Sequence, residues 1–160
     1  MRILGIDPGT TRSAWVTLDT VTRLPVTFGL AANEPFLDYL REMGGFLGSP
    51  HQVVIEKAEG SYGRIVIGGE LLETVFWSGR FAEAASAWAS SVDRIGRKAV
   101  VAHVCGVATA SDAHVRAALI DLYGGKELAI GRKSAPGPLH GMNVDERSAL
   151  ALALTWADRR

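Results

Sequence analysis

The chain has 160 residues, of which 48% are hydrophobic, and its 17 basic and 17 acidic side chains give a formal net charge of zero. This size and composition predict one globular domain spanning residues 1–160, and the neutral total argues against a generic polyanion binder. The one cysteine, Cys105, excludes an intrachain disulfide and a cysteine-rich zinc site. No apolar run is long enough to cross a membrane and no signal-peptide pattern opens the sequence, so we expect a cytoplasmic protein with no membrane partner.

Three strand-like runs open the chain, and they lie at Ile3–Ile6, Ala14–Leu18 and about Pro25–Leu30. Turn residues separate these runs at Pro8-Gly9 and around Thr22. Because the connections are short, we expect the three runs to form an antiparallel meander.

A helix and a fourth strand are predicted after the meander. Asn33 has a side chain suited to an N-cap, Pro35 falls in the first turn, and Gly44-Gly45 is a stop signal. The run Gln52–Ile55 is rich in β-branched residues, is typical of a buried strand, and ends at Glu56.

The rest of the chain is predicted to consist of helices, one further strand and a loop. We expect a helix from about Glu70 to Arg94, a strand at Lys98–Val104, a helix from Ser111 to Leu122, a loop at 126–141 and a last helix from about Val144 to Arg159. This order predicts an α/β protein in which helices flank a mixed five-stranded sheet.

Three acidic side chains occupy positions where a metal site is expected. Asp7 follows the first strand, Glu56 ends a later parallel strand, and Asp145 lies in the first turn of the last helix. If those two strands are neighbours, Asp7 and Glu56 lie side by side at the carboxyl edge of the sheet. Two carboxylates so close repel each other unless they are protonated or bridged by a cation such as Mg²⁺. The alternative for Asp7 is a turn-forming role before Pro8.

Several segments together resemble one family of nucleases. They are ILGIDPGTT at 3–11, VVIEKAEG at 53–60 and DERSALALAL at 145–154. In this order and in a chain of this length, the motifs resemble the RuvC-type Holliday junction resolvases of the ribonuclease H-like superfamily. The segments at 103–125 and 136–141 are similar to the shorter RuvC-like proteins of phages and prophages.

The resemblance implies a ribonuclease H-like fold and a homodimeric endonuclease that acts on branched DNA with two divalent ions, Mg²⁺ or in its place Mn²⁺. Asp7, Glu56 and Asp145 match three of the family's four acidic metal ligands. The fourth position falls on Ser148, which is not acidic. Ser148 lies on about the same helix face as Asp145, so its hydroxyl is a candidate for holding a water of the site. Because His140 precedes this helix and related nucleases place a histidine here, it is a second candidate.

The predicted DNA contacts are an aromatic residue and a set of basic residues. In the family, an aromatic residue after the second motif can enter the junction centre, and Tyr62 is the nearest match, with Arg64 beside it. Basic side chains at the start of one predicted strand and in the predicted loop are typical of phosphate contacts, although ordinary surface charge is the alternative. The basic candidates are Arg94, Arg97, Lys98, Lys126, Arg132 and Lys133. The alanine- and aromatic-rich helix at 70–94 is the predicted dimer surface.

Three other functions remain open at this level. An actin-like ATPase or sugar kinase shares the first motif, but such proteins need two lobes to enclose the nucleotide. Because Ser148 is not acidic, a branched-DNA binder without catalytic activity is a second possibility. A nuclease of the same fold that acts on RNA or on other branched DNA is the third.

Overall fold

The computed structural model describes residues 1–44, 50, 52–59 and 68–160. Its centre is a five-stranded sheet in the order β3-β2-β1-β4-β5, in which β1 pairs antiparallel with β2 and parallel with β4. The first three strands form the predicted antiparallel meander, and β5 pairs parallel with β4. The strands are β1 Arg2–Asp7, β2 Arg12–Asp19, β3 Pro25–Ala32, β4 Gln52–Lys57 and β5 Ser91–Gly96.

Helices cover both faces of this sheet, as the sequence predicts. The helices α1 and α2 lie on one face and bury an aromatic cluster that includes Phe36, Trp77 and Phe81. The helices α3, α4 and α6 lie on the other face. A two-stranded hairpin, β6 and β7, follows the short helix α5. The remaining bounds are α1 Asn33–Met43, α2 Gly69–Ser86, α3 Arg97–Cys105, α4 Asp112–Leu122, α5 Lys126–Ala129, β6 Gly131–Arg132, β7 Ala135–Pro136 and α6 Val144–Asp158.

The last helix, α6, lies directly on the sheet. Every residue from Ser148 to Trp156 is buried, and this segment is almost entirely alanine and leucine. The helix approaches β1 so closely that a Cβ placed on Gly5 would lie 2.5 Å from the carbonyl oxygen of Ala149. This contact fixes the N-terminal turn of α6 beside the end of β1.

The predicted helix at 70–94 is confirmed as far as Ser86 but is too long, and the predicted strand at Lys98–Val104 is wrong. The helix α2 ends at Ser86, and Ser91–Gly96 forms the edge strand β5. Trp88 lies in the intervening turn, where its indole N–H donates to the Leu40 carbonyl oxygen at 2.8 Å. The apolar run after Lys98 belongs to the helix α3, because a short buried run looks the same in a helix and in a strand.

Two smaller predictions also need correction. Asn33 is the first residue of α1 rather than its N-cap, since the cap position is Ala32. The segment at 126–141 is not simply a loop, because it contains α5 and the β6–β7 hairpin. Leu139 within it is buried, and its N–H donates to the Ala129 carbonyl oxygen at 2.8 Å. In the described part of the chain, none of the helices is both long and apolar enough to cross a membrane.

Candidate functional site

Asp7 and Glu56 lie beside each other at the carboxyl ends of two parallel strands, as predicted. The register pairs Ile6 with Ile55, so the next residue on each strand is one of these two carboxylates. Side chains alternate along a strand, and Asp7 therefore faces the same side of the sheet as Ile3 and Gly5, the side that α6 covers.

Burial and mutual repulsion destabilise the charged forms of these two carboxylates. Burial, and after it the neighbouring Glu56 and Asp145, raise the pKa of Asp7 to about 8 against the opposing effect of Arg97. Burial likewise raises the pKa of Glu56. The Oε2 atom of Glu56 is buried and has no hydrogen-bond partner within the described residues. A buried carboxylate oxygen in this state is stabilised by a cation.

Asp145 reaches the same place from the N-terminus of α6. Its helix begins with a capping box, in which the Glu146 N–H donates to Asn143 Oδ1 at 2.9 Å and the Asn143 N–H donates to Glu146 Oε2 at 2.7 Å. The Glu146 carboxylate is therefore used in the cap. Its neighbour Asp145 is exposed and close enough to Asp7 to raise the Asp7 pKa. Asp7, Arg12 and Asp145 line a cavity of about 140 Å³.

The carboxylate oxygens of Asp7, Glu56 and Asp145 are suitable ligands for a divalent cation, although the three side chains do not converge on a single position. Among residues 1–44, 50, 52–59 and 68–160, no three His, Cys, Asp or Glu side chains converge closely enough to hold a metal ion. Repulsion among carboxylates keeps such a group apart when no cation is bound. The Glu56 oxygen without a hydrogen bond in the described residues and the raised pKa of Asp7 indicate that a cation would stabilise the arrangement.

A buried hydrogen-bond network holds the turn that follows Asp7. The Ser13 hydroxyl accepts from the Gly9 N–H at 3.1 Å and donates to Asn33 Oδ1 at 2.7 Å. The Asn33 amide in turn donates to the Gly9 carbonyl oxygen at 3.0 Å. Ser13 and Asn33 are both buried, so this Ser13–Asn33 clamp ties the turn to β2 and α1.

Ser148 and His140 make local contacts. The Ser148 hydroxyl donates to the Val144 carbonyl oxygen of its own helix at 3.3 Å, and the side chain is buried. His140 Nδ1 lies 3.0 Å from the Ile130 carbonyl oxygen, which ties the histidine to the end of α5. A role for Ser148 beside a metal stays a prediction.

Among the predicted DNA contacts that the structure describes, Arg97 and Lys98 lie beside Glu56. Both are in the first turn of α3 and, with Glu56, line a cavity of about 370 Å³. Arg94 instead donates to Ser78 Oγ on α2 at 3.3 Å, which places it over the opposite face of the sheet. Lys126, Arg132 and Lys133 are exposed on α5 and the hairpin. Tyr62 and Arg64 lie outside the described residues.

The sequence reasoning missed Asp112, the first residue of α4. Its carboxylate pairs with Arg97, and its charge raises the pKa of both Asp7 and Glu56. In the sequence, Ser111-Asp112 indicated only the start of a helix, and the structure confirms that start. The contact with Arg97 was missed because no local pattern shows which other element a helix start will approach.

The sheet order, the mixed strand directions and the helices on both faces define a ribonuclease H-like α/β fold. The chain is similar to the structure of Thermus thermophilus RuvC, with 18% identity over 97% of this chain and 92% of that one and a TM-score of 0.66. For T. thermophilus RuvC in complex with a Holliday junction substrate, the identity is 22%, the coverages are 97% and 92%, and the TM-score is 0.67. The fowlpox virus Holliday junction resolvase is 13% identical over the full length of both chains, with a TM-score of 0.55.

These likenesses confirm the predicted RuvC-like fold. No family model and no curated protein sequence matches the chain. At identities below 25%, shared structure establishes the fold, whereas activity has to be argued from the residues of the site.

Proposed function

We propose that the protein is a divalent-metal-dependent endonuclease that cuts four-way DNA junctions. The observation that carries this proposal is the pair of buried carboxylates, Asp7 and Glu56, with Asp145 beside them and one Glu56 oxygen that has no hydrogen-bond partner among the described residues. The RuvC-like fold supports it, because the carboxylates lie at the carboxyl edge of the sheet, where active sites of α/β proteins form.

Each carboxylate has a distinct part in this proposal. Asp7, whose pKa is raised by both Glu56 and Asp145, would contact two Mg²⁺ or Mn²⁺ ions, while the other two carboxylates would each contact one. Such ions supply an activated water and neutralise charge on the leaving oxygen. The Ser13–Asn33 clamp holds the turn after Asp7 in place, and the capping box fixes the first turn of α6, which carries Asp145. Because Ser148 replaces a carboxylate, one ion is expected to bind weakly, and Mn²⁺ to support more activity than Mg²⁺.

The DNA backbone would be bound around this edge by basic side chains. Arg97 and Lys98 line a cavity with Glu56, and Lys126, Arg132 and Lys133 are further exposed candidates on α5 and the hairpin. Phosphate contacts of this kind position a duplex without reading its sequence.

A cleavage assay tests the proposal directly. End-labelled four-way, flap, single-stranded and linear duplex DNA would be incubated with Mg²⁺ or Mn²⁺, with the Asp7→Asn variant as the matched control. We expect symmetric cuts in the four-way junction that the variant does not make. Equal cleavage of every substrate would contradict junction selectivity, and cleavage that survives in the variant would contradict the site.

A branched-DNA binder without catalytic activity is the second candidate. The Ser148 hydroxyl, which bonds to its own helix, favours it because a hydroxyl is a weaker cation ligand than a carboxylate. This function predicts metal-independent binding of the four-way junction and no cleavage with either ion.

Replacing Asn33 by alanine tests the Ser13–Asn33 clamp. The change removes the acceptor of the buried Ser13 hydroxyl proton and the side-chain donor to the Gly9 carbonyl oxygen, so we expect the free energy of unfolding to fall by about 2–3 kcal/mol. Cleavage per folded molecule should fall at least tenfold as well, because a 1 Å displacement at a reacting group costs on the order of 10²-fold. Urea unfolding and single-turnover rates measure the two effects.

Thr155→Val is the control for this variant. It removes another buried hydroxyl, which donates to the Ala151 carbonyl oxygen within α6 at 2.8 Å. We expect lower stability with unchanged cleavage per folded molecule. If Asn33→Ala behaves in the same way, the clamp does not position Asp7.

We also propose that the protein acts as a homodimer through the exposed face of α2. Leu72, Val75 and Phe76 are exposed apolar side chains on this helix, and the space beside Gly79 is open. The four residues follow helical spacing and share one face. A symmetric dimer suits a substrate that needs two matched cuts.

Leu72→Asp should separate this dimer. A charge on the apolar face is expected to raise the dimer dissociation constant about 100-fold, the effect of disrupting an interface hot spot. Light scattering at micromolar concentration would then show the monomer mass of 17.1 kDa. The control is Leu128→Asp, at an equally exposed leucine on α5, which should remain dimeric. A wild-type mass of one chain would contradict the dimer.

A further inference from the structure

Arg97 places a positive charge among the carboxylates of the site. Its Nη1 atom lies 4.0 Å from Glu56 Oε2, the buried oxygen that has no hydrogen-bond partner in the described part of the chain. Its Nη2 atom donates to the Asp112 carboxylate at the start of α4. One guanidinium therefore lies between carboxylates from β4 and α4, and its charge also opposes the raised pKa of Asp7.

The backbone fixes the base of this side chain and leaves its tip free to move. Arg97 is the first residue of α3 and directly follows Gly96, the last residue of β5. Its side chain is 43% exposed, compared with 14% for Glu56. It opens into the cavity that Lys98 also lines, so the guanidinium has room to turn outward.

A divalent cation and this guanidinium compete for Glu56. A cation bound to Glu56 at about 2.1 Å, the Mg²⁺–oxygen distance, would lie within several ångströms of a positive charge. Like charges at that separation repel, and in a site largely withdrawn from water the repulsion is only partly screened. A phosphate is the alternative partner for a guanidinium, since it accepts two parallel N–H bonds.

We propose that Arg97 is a positioning residue that neutralises Glu56 and Asp112 in the metal-free protein and turns to a DNA phosphate when divalent cations bind. This rests on the proposed nuclease function. It assigns to one side chain opposite effects on two ligands, because Arg97 weakens metal binding and strengthens DNA binding. Replacing an arginine with a purely structural role would not tighten metal binding while weakening DNA binding, and it would also change the stability of the fold.

Arg97→Gln and Lys98→Gln form a matched pair for the test, since each removes one positive charge from the same turn of α3. Mn²⁺ affinity is measured by calorimetry without DNA, and four-way junction affinity by fluorescence anisotropy with Ca²⁺ as the bound divalent cation, the state in which Arg97 is proposed to contact the DNA. Asp7→Asn identifies the Mn²⁺ signal that belongs to this site. Circular dichroism confirms that each variant is folded.

We expect Arg97→Gln to tighten Mn²⁺ binding about fivefold and to weaken junction binding about fivefold, the size of one partly screened charge interaction. Lys98→Gln should weaken junction binding alone and leave the Mn²⁺ dissociation constant within about twofold of wild type. Unchanged or weaker Mn²⁺ binding in Arg97→Gln overturns the inference, as does unchanged junction binding. Those results leave the nuclease proposal standing if the wild-type protein cleaves DNA. A wild-type protein with no Asp7-dependent Mn²⁺ binding overturns both.

Asp112→Asn provides a second variant. It leaves Arg97 with Glu56 as its remaining carboxylate partner, so Mn²⁺ binding should weaken. In the Arg97→Gln background the same change should weaken Mn²⁺ binding by a smaller factor, because no guanidinium is left to move toward Glu56. An equal factor in both backgrounds contradicts the competition between Arg97 and the cation.

Discussion

Replacing Asp7 by asparagine is expected to abolish DNA cleavage and, at the same time, to stabilise the metal-free protein. An amide keeps the shape of the side chain but loses the charge that would bridge two cations, so we expect cleavage to fall at least ~10³-fold. The same change removes a buried charge next to Glu56 and Asp145, which costs free energy in the absence of a cation. At pH 8 the metal-free melting temperature should rise by about 3–6 °C.

The raised pKa of Asp7 determines how the stability of the metal-free protein changes with pH. Burial and the neighbouring carboxylates raise the pKa of Asp7 from 3.8 to about 8, so the folded protein holds a proton that the unfolded chain releases. The stabilisation from this proton is complete at pH below 3.8 and is lost as the pH rises toward 8. Asp93 and Asp158 act in the opposite direction, because hydrogen bonds lower their pKa values and their contribution is lost in acid.

The difference between wild type and Asp7→Asn separates these contributions. Melting curves in EDTA from pH 4 to pH 8 should show the two proteins diverging as the pH rises, with the variant increasingly the more stable. Millimolar Mn²⁺ should reverse the order by stabilising only the wild type. Parallel curves would show that Asp7 is not held protonated in the folded protein.

Gly5→Ala is expected to destabilise the protein strongly, although it adds only one methyl group. The added Cβ would lie 2.5 Å from the Ala149 carbonyl oxygen and 3.1 Å from the Ala153 Cβ, so β1 and α6 must move apart. Overpacking of this kind costs about 3 kcal/mol or slightly more. The melting temperature should fall by about 6–12 °C in a domain of this size.

The same displacement separates Asp7 from Asp145, so cleavage per folded molecule should fall as well. Gly69→Ala is the control, since no atom lies within 4 Å of the Cβ it would add. That variant should keep both stability and cleavage near the wild-type values. A Gly5→Ala protein as stable as wild type would show that α6 does not press on β1.

The central part of the fold was predictable because its local signals agree. The runs before Asp7 and Glu56 are short, apolar and bounded by turn residues, so their strands and their acidic ends could be read directly. The sequence did not establish that these two strands are neighbours, and the parallel pairing of β1 with β4 shows that they are. The acidic start of α6 was equally clear, and its capping box explains why Asp145 rather than Glu146 faces the site.

The segment from residue 87 to residue 105 was not predictable from local pattern. Alanine-rich and apolar residues there suit a helix as well as a strand, and the outcome depends on Trp88 returning to Leu40 and on β5 pairing with β4. The roles of Asp112 and of the Ser13–Asn33 clamp also depend on contacts between residues far apart in sequence. Sequence spacing alone does not specify such contacts.

Anomalous diffraction from crystals soaked in Mn²⁺ tests the metal site most directly. The account predicts one or two anomalous peaks bounded by the carboxylates of Asp7, Glu56 and Asp145, with Mn–oxygen distances of about 2.1–2.3 Å. It also predicts that the Arg97 guanidinium has moved away from Glu56. No peak at Asp7 in crystals that hold Mn²⁺ elsewhere, or a peak that leaves Glu56 paired with Arg97, would contradict it.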